Sequence, residues 1–205
     1  MTTTPGTDNH VVIGTKWRVT VHLYTPQADR VRSWARSMQI LEAEWVRAEA
    51  RRLVTSEGLG QTAAERRAAA AAIELRPERW PSQDALLERA IRGRLARSDV
   101  AGLQGPLEDP EDERALRLPG RRPGSPTRSF PVKIAATLPA ALIVSGRRAA
   151  WRLSGGAEGD LRALLALYRN KKINQRAYRK GRAPLLTALV TWADLVREAI
   201  DGYEP

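Results

Sequence analysis

Seven of the fourteen side chains from position 169 to 182 are cationic and none is anionic: Arg169, Lys171, Lys172, Arg176, Arg179, Lys180 and Arg182. Such a run cannot neutralise itself. It calls for a polyanion, and nucleic acid is the commonest one. Arginine and lysine would supply phosphate contacts that carry little sequence information. Tyr178 inside the run and Tyr168 at its edge offer ring faces to exposed bases, worth roughly 1–3 kcal/mol per stacked base. Tyr168 also lies on an apolar helical stripe, which ranks it as core ahead of stacker. Asn170, Asn174 and Gln175 carry amides that read base edges or sugars. The mixture resembles an arginine-rich segment that binds structured or single-stranded RNA. The charge field extends to Arg121, Arg122 and Arg128, and to Arg147, Arg148 and Arg152 around Trp151, a further candidate for stacking. From 114 to 193 there are 17 Arg or Lys against Glu158 and Asp160 alone, whereas the two signs nearly balance before Arg114.

Catalytic chemistry is sparser. Of the two histidines, His22 stands on the polar side of a strand with Tyr24. With the basic run it could form the acid–base set of a metal-independent ribonuclease. His10 lies near the start. No His-x-His or His-Glu-x-x-His motif and no cysteine occurs, so a thiolate zinc site, a disulfide and a cysteine nucleophile are excluded. The carboxylates Glu108, Asp109, Glu111, Asp112 and Glu113 lack the Asp and Gly spacing of a calcium loop. No phosphate loop, dinucleotide fingerprint or Gly-x-Ser-x-Gly elbow is present. Gly155, Gly156 and Gly159 read as a turn before a helix, where a single phosphate could also sit. No cofactor and no metal are expected.

A chain of 205 residues with formal charge +11 is long enough for one ordinary domain or two small ones. The 29 arginines against 5 lysines fit a GC-rich genome as well as a preference for bidentate phosphate contacts. No secretory signal and no membrane span are legible. With the absence of cysteine, this points to the cytoplasm.

The elements that must position these residues follow from periodicity. Residues 1–9 read as a disordered leader, and His10 to Ile13 as a short strand. Trp17, Val19, Val21 and Leu23 alternate with polar residues, which predicts a strand over 16–24. Thr25 and Pro26 open a long helix. Its apolar seam, Val31, Trp34, Met38, Leu41, Trp45 and Ala48, steps by threes and fours like a coiled coil. A second, Ala-rich helix follows a Thr62–Glu65 capping box and ends at Pro77. A third is capped by Ser82, with Leu87, Ile91 and Leu95 inward and Arg89, Arg92, Arg94 and Arg97 on its polar side. Residues 102–131 form a Pro/Gly-rich linker, acidic and then basic. It reads as a solvated connector, or as an arm ordered by nucleic acid whose acidic end competes for its basic end. Residues 132–153 show short apolar runs around a turn at Ser145–Gly146, read as two or three short strands. A helix capped by Asp160 and another opened by Ala183–Pro184 would flank the basic run. Since a lone strand is not stable in water, strand 16–24 should pair with strands in 132–153. The expected fold is therefore a mainly helical α+β protein. It has a small antiparallel or mixed sheet interrupted by a three-helix insertion, and a C-terminal helix pair. The units are 10–101, the linker 102–131, and 132–205.

A first strand ending in Leu23, Tyr24, Thr25 and Pro26, then a long helix and a helical insertion before more strands, resembles the guide-RNA-binding front end of transposon-derived RNA-guided nucleases. The resemblance covers about ten residues, and the chain has no room for such an enzyme's catalytic domain.

The expected function is non-catalytic nucleic-acid binding, RNA ahead of duplex DNA, as a subunit of a larger ribonucleoprotein complex with protein partners and no membrane. Three rivals stand beside it. One is the ribonuclease built on His22. Another is a scaffold subunit using the 31–48 seam. The third is a DNA-binding regulator, for which the connection between the last two helices is long and highly charged.

Overall fold

The computed structural model describes residues 15–116 and 131–205. The expected leader, the 10–13 strand, and Arg121, Arg122 and Arg128 lie outside the described residues. Alternation at 16–23 produces strand β1 (Lys16–Leu23). It pairs antiparallel with β2 (Val132–Pro139) in a register running from Lys16↔Pro139 to Leu23↔Val132. One face carries Val21, Leu23, Ile134, Ala136 and Leu138, all buried. The other carries exposed Lys16, Arg18, Thr20, Lys133 and Thr137. The long-range pairing is the one expected, and the fold is a mainly helical α+β protein.

The remainder of 132–153 departs from expectation. Residues after Pro139 form helix α6 (Ala140–Leu153), not strands. Ala140, Ile143, Val144, Ala149 and Ala150 are all buried along it. Short apolar runs do not distinguish strand from buried helix. Gly146 is no turn: it lies mid-helix against the Trp192 ring.

Helix α1 (Thr25–Glu57) is 33 residues long, about 50 Å at 1.5 Å per residue. Its N-cap is Tyr24, one residue before the expected Thr25, and the Gln27 side chain accepts the Tyr24 N–H at 3.3 Å. Val31, Trp34 and Met38 meet the main core. Beyond them the inward stripe moves to Trp45, Val46, Ala50 and Leu53, which face α2 (Gln61–Arg79). A straight helix of 3.6 residues per turn drifts off a 3.5-residue seam. Leu41 is accordingly 47% exposed, and Glu42 turns inward to hold Arg76 of α2 at 2.7 Å. The coiled-coil seam is therefore not continuous. Leu41→Gln is expected to change stability by less than about 0.5 kcal/mol; a loss above about 1.5 kcal/mol in urea unfolding would mark Leu41 as buried in an assembly.

Ala64, Ala68 and Ala72 form the buried stripe of α2, small enough for close approach to α1. Gly60, not Thr62, precedes this helix, and Pro77 does not end it. Proline removes one N–H, and two more residues follow before the Trp80 N–H closes on the Arg76 carbonyl at 3.0 Å. Helix α3 (Gln83–Leu95) starts as expected, with Ser82 Oγ accepting the Ala85 N–H at 3.3 Å. Its Asp84 carboxylate accepts the Thr137 N–H of β2 at 3.1 Å. Arg94 is not on the polar side. It is buried and donates to Glu198 at 2.8 Å and to Asp99 of the short helix α4 (Ser98–Ala101) at 3.1 and 3.0 Å.

The expected last helix is two. Asn174 opens α8 (Gln175–Ala188), with Pro184 inside it, and Thr191 opens α9 (Trp192–Asp201). Leu195, Val196, Ala199 and Ile200 bury α9 in the main core with β1, β2, α3 and α6. Polar bonds hold its middle and its C-terminal end. Gln27 donates to Asp201 at 2.7 Å and Arg30 to the Asp201 carbonyl at 2.8 Å. Arg197 reaches the His22 carbonyl of β1 at 2.8 Å.

Candidate nucleic-acid interface

The basic run occupies the end of a helical hairpin. Helix α7 (Ala157–Arg169) leaves α6 through Gly155 and Gly156, both left-handed at φ +54° and +87°. Gly156, not Asp160, is its N-cap, and Glu158 and Asp160 fill the first turn. Carboxylates there complement the helix dipole and repel a phosphate, which speaks against the glycine turn as a phosphate cradle. The hairpin turn closes with the N–H groups of Lys171 and Lys172 donating to the Tyr168 and Leu167 carbonyls at 3.0 and 2.9 Å. Lys171 is left-handed at φ +56°, a conformation that costs a side-chain-bearing residue about 1 kcal/mol. Asn174 then caps α8, its side-chain oxygen accepting the Ala177 N–H at 2.8 Å. One base-reading group expected from sequence is thus partly used in the fold.

α8 turns Tyr178, Gly181, Arg182, Leu185 and Leu186 toward partial burial and leaves Arg176, Arg179 and Lys180 exposed. A Cβ at Gly181 would lie 3.2 Å from Leu164 of α7, so glycine permits the approach. One step nearer the turn, the rings of Tyr168 and Tyr178 stack at 4.7 Å and 17°. These two contacts make α7 and α8 antiparallel. No residue of α8 is fully buried, so the hairpin is held chiefly by its own seam.

The electrostatics single this hairpin out. Elsewhere acids are interspersed with the arginines, and several pair on their own helix or with a neighbour: Arg52 with Glu49, Arg67 with Glu57, Arg76 with Glu42, Arg92 with Glu88. None of Arg169, Lys171, Lys172, Arg176, Arg179, Lys180 and Arg182 forms an ion pair among the described residues. The first turn of α8 carries no acid and has Arg176 instead. Cations at that end oppose the dipole, an arrangement that a bound anion would relieve.

The other predicted cations among the described residues, Arg147, Arg148 and Arg152, are turned inward. Arg147 is buried, its guanidinium 5.7 Å from the Trp17 ring centroid. Burial pushes its pKa below the usual arginine value, against the opposing pull of Glu158. Arg148 donates to Glu113 of α5 (Pro110–Leu116) at 3.1 and 3.2 Å through Nε. Arg152 donates to the carbonyls of Leu103 and Gly105 at 2.7 Å and of Pro106 at 2.5 Å. These contacts fix the first half of the expected linker against α6. Arg162, which sequence reasoning passed over, takes Asp112 at 2.7 Å and sits 5.0 Å over Trp151. Among the described residues, the acidic stretch engages arginines of α6 and α7. Its signal in the sequence was the block from Glu108 to Glu113 alone.

His22 lies in β1 opposite Lys133, and Tyr24 stands outside the strand at the α1 N-cap. No cluster of His, Cys, Asp or Glu able to hold a metal occurs among the described residues. No helix of the described residues is long and apolar enough to cross a membrane. Comparison with protein-family models, curated proteins and solved structures finds no match to this chain.

Proposed function

We propose that the chain is a non-catalytic nucleic-acid-binding protein, with RNA favoured over duplex DNA, acting as a subunit of a nucleoprotein complex. One observation carries the reading: the seven cations of the α7–α8 hairpin end have no ion-pair partner among the described residues, in a stretch of sequence, 161–193, that contains no Asp or Glu. The cationic first turn of α8 adds a local electrostatic cost that an anionic partner offsets. RNA is favoured because α7 and α8 run antiparallel through a five-residue connection, 170–174, rather than crossing as a helix-turn-helix does.

The test replaces Arg176, Arg179, Lys180 and Arg182 together by glutamine and measures RNA affinity across a salt series. Each lost phosphate contact should flatten the log–log salt dependence by about 1, so the slope should shrink by about 3–4. Circular dichroism of the variant should stay unchanged. An unaltered affinity and slope would remove the hairpin as the site. RNA cleavage by the wild type that is lost in His22→Ala would instead favour the ribonuclease.

A further inference from the structure

We infer that the α7–α8 hairpin binds double-helical RNA by its phosphate backbone rather than single strands by their bases. The inference rests on the nucleic-acid reading above and narrows its substrate class. Single-strand binding without rigid base pairing relies on aromatic faces onto which bases stack, set beside the cations that follow the backbone. Here the cations are present and the aromatic faces are spent. Tyr178 lies face to face with Tyr168, and both are half-buried within the hairpin. Trp151, the other ring expected to stack, is half-buried under the Arg162 guanidinium, which Asp112 holds in turn. Tyr24 is the one large exposed aromatic among the described residues, at the start of α1 and outside the hairpin.

What remains at the hairpin end is charge on a helical frame. Arg176, Arg179 and Lys180 fall at the i, i+3 and i+4 spacing that shares one side of α8. Arg176 and Lys180 are separated by about 6 Å along the axis. Lys171 and Lys172 extend the same sign across the turn. A row fixed in this way suits phosphates that are themselves held in place by pairing. Paired A-form RNA is recognised largely by shape, 2′-hydroxyls and phosphates. Sequence discrimination should be slight, since phosphate contacts carry none.

The experiment is a competition on the full chain at fixed salt, using a perfectly paired RNA duplex, each of its strands alone at equal length, a duplex of scrambled sequence and the corresponding DNA duplex. The RNA duplex should bind at least tenfold more tightly than either strand, and the scrambled duplex within about threefold of the first. A single strand that binds as tightly as the duplex overturns the inference while leaving nucleic-acid binding standing. A DNA duplex equal to the RNA duplex keeps the double-helix inference and overturns the preference for RNA. No binding to any of them at low salt sinks both readings. Tyr178→Leu gives an independent readout: affinity unchanged for the duplex and for the single strands alike supports the inference, and a tenfold loss of single-strand affinity overturns it. The wild-type competition decides the question even if that variant loosens the hairpin.

Discussion

Gly146→Ala should destabilise the protein by about 2–3 kcal/mol, although glycine-to-alanine in a helix normally stabilises by about 1 kcal/mol. Gly146 has ordinary helical surroundings in α6, so only its packing can reverse the sign. A Cβ there would fall inside the Trp192 ring, in steric conflict with Cζ3 and Cε3 and 3.3 Å from Cη2. The ring cannot swing away cheaply: Trp192 is the first residue of α9, and the helix behind it is buried. Its indole Nε1 already lies buried without a hydrogen-bond partner among the described residues, which costs about 1–3 kcal/mol. Packing, not hydrogen bonding, therefore sets the ring's position. Forced overpacking typically costs 1–3 kcal/mol or more, enough to outweigh the helical gain. Urea unfolding should show a lower midpoint at unchanged slope. In a Trp192→Leu background, where the ring is gone, the same Gly146→Ala change should become neutral or stabilising. Loss of stability of equal size in both backgrounds would sink the explanation.

Gly146 also shows where the sequence misleads. A Ser–Gly pair between short apolar runs reads as a turn, and nothing within ten residues reveals that glycine is needed for a tryptophan 46 positions later. Strand β1 was legible because one-face burial stamps a period of two on the chain. Its pairing with 132–139 was legible because a lone strand needs a partner. The seam of α1 was misread past Met38, because a straight helix hands its apolar stripe from the core to α2. Pro184 looked like a first helical position, but the Asn174 cap ten residues earlier had already started the helix.

At the candidate site, charge could be read directly and partnership could not. Lys171, Lys172, Arg176, Arg179 and Lys180 are exposed where the run predicted a cationic surface. Arg148 and Arg152 look the same in sequence, yet their partners lie 35 to 49 residues away, in the segment that reads as a linker. Tyr178 keeps its aromatic character but not its availability, since its partner Tyr168 belongs to the facing helix.

Arg197→Met should cost about 2–3 kcal/mol at pH 7, with the deficit narrowing in acid. Arg197 is buried and ties α9 to β1 through the His22 carbonyl at 2.8 Å, while pairing with Asp194 one turn earlier. Asp194 also completes the α9 cap, accepting the Thr191 N–H at 2.8 Å and its hydroxyl at 2.6 Å. Methionine keeps the apolar stem but leaves a largely buried carboxylate and a carbonyl short of a donor, which is the costly way to break such a pair. Burial alone would raise the pKa of Asp194. The Thr191 and Arg197 hydrogen bonds outweigh it and hold the carboxyl below its usual 3.8. A depressed folded-state pKa contributes stability that is complete above the unfolded value and is lost as pH falls through the folded one. The wild type should therefore lose this contribution below pH 3.8. The variant has already lost the arginine's share, so the gap between the two closes on that side. Unfolding midpoints of both proteins from pH 7 to pH 3 read it out. A gap that stays constant would assign the effect of Arg197 to its bond with β1 rather than to Asp194. A loss under about 1 kcal/mol at pH 7 would mean that α9 is fixed by its apolar face alone.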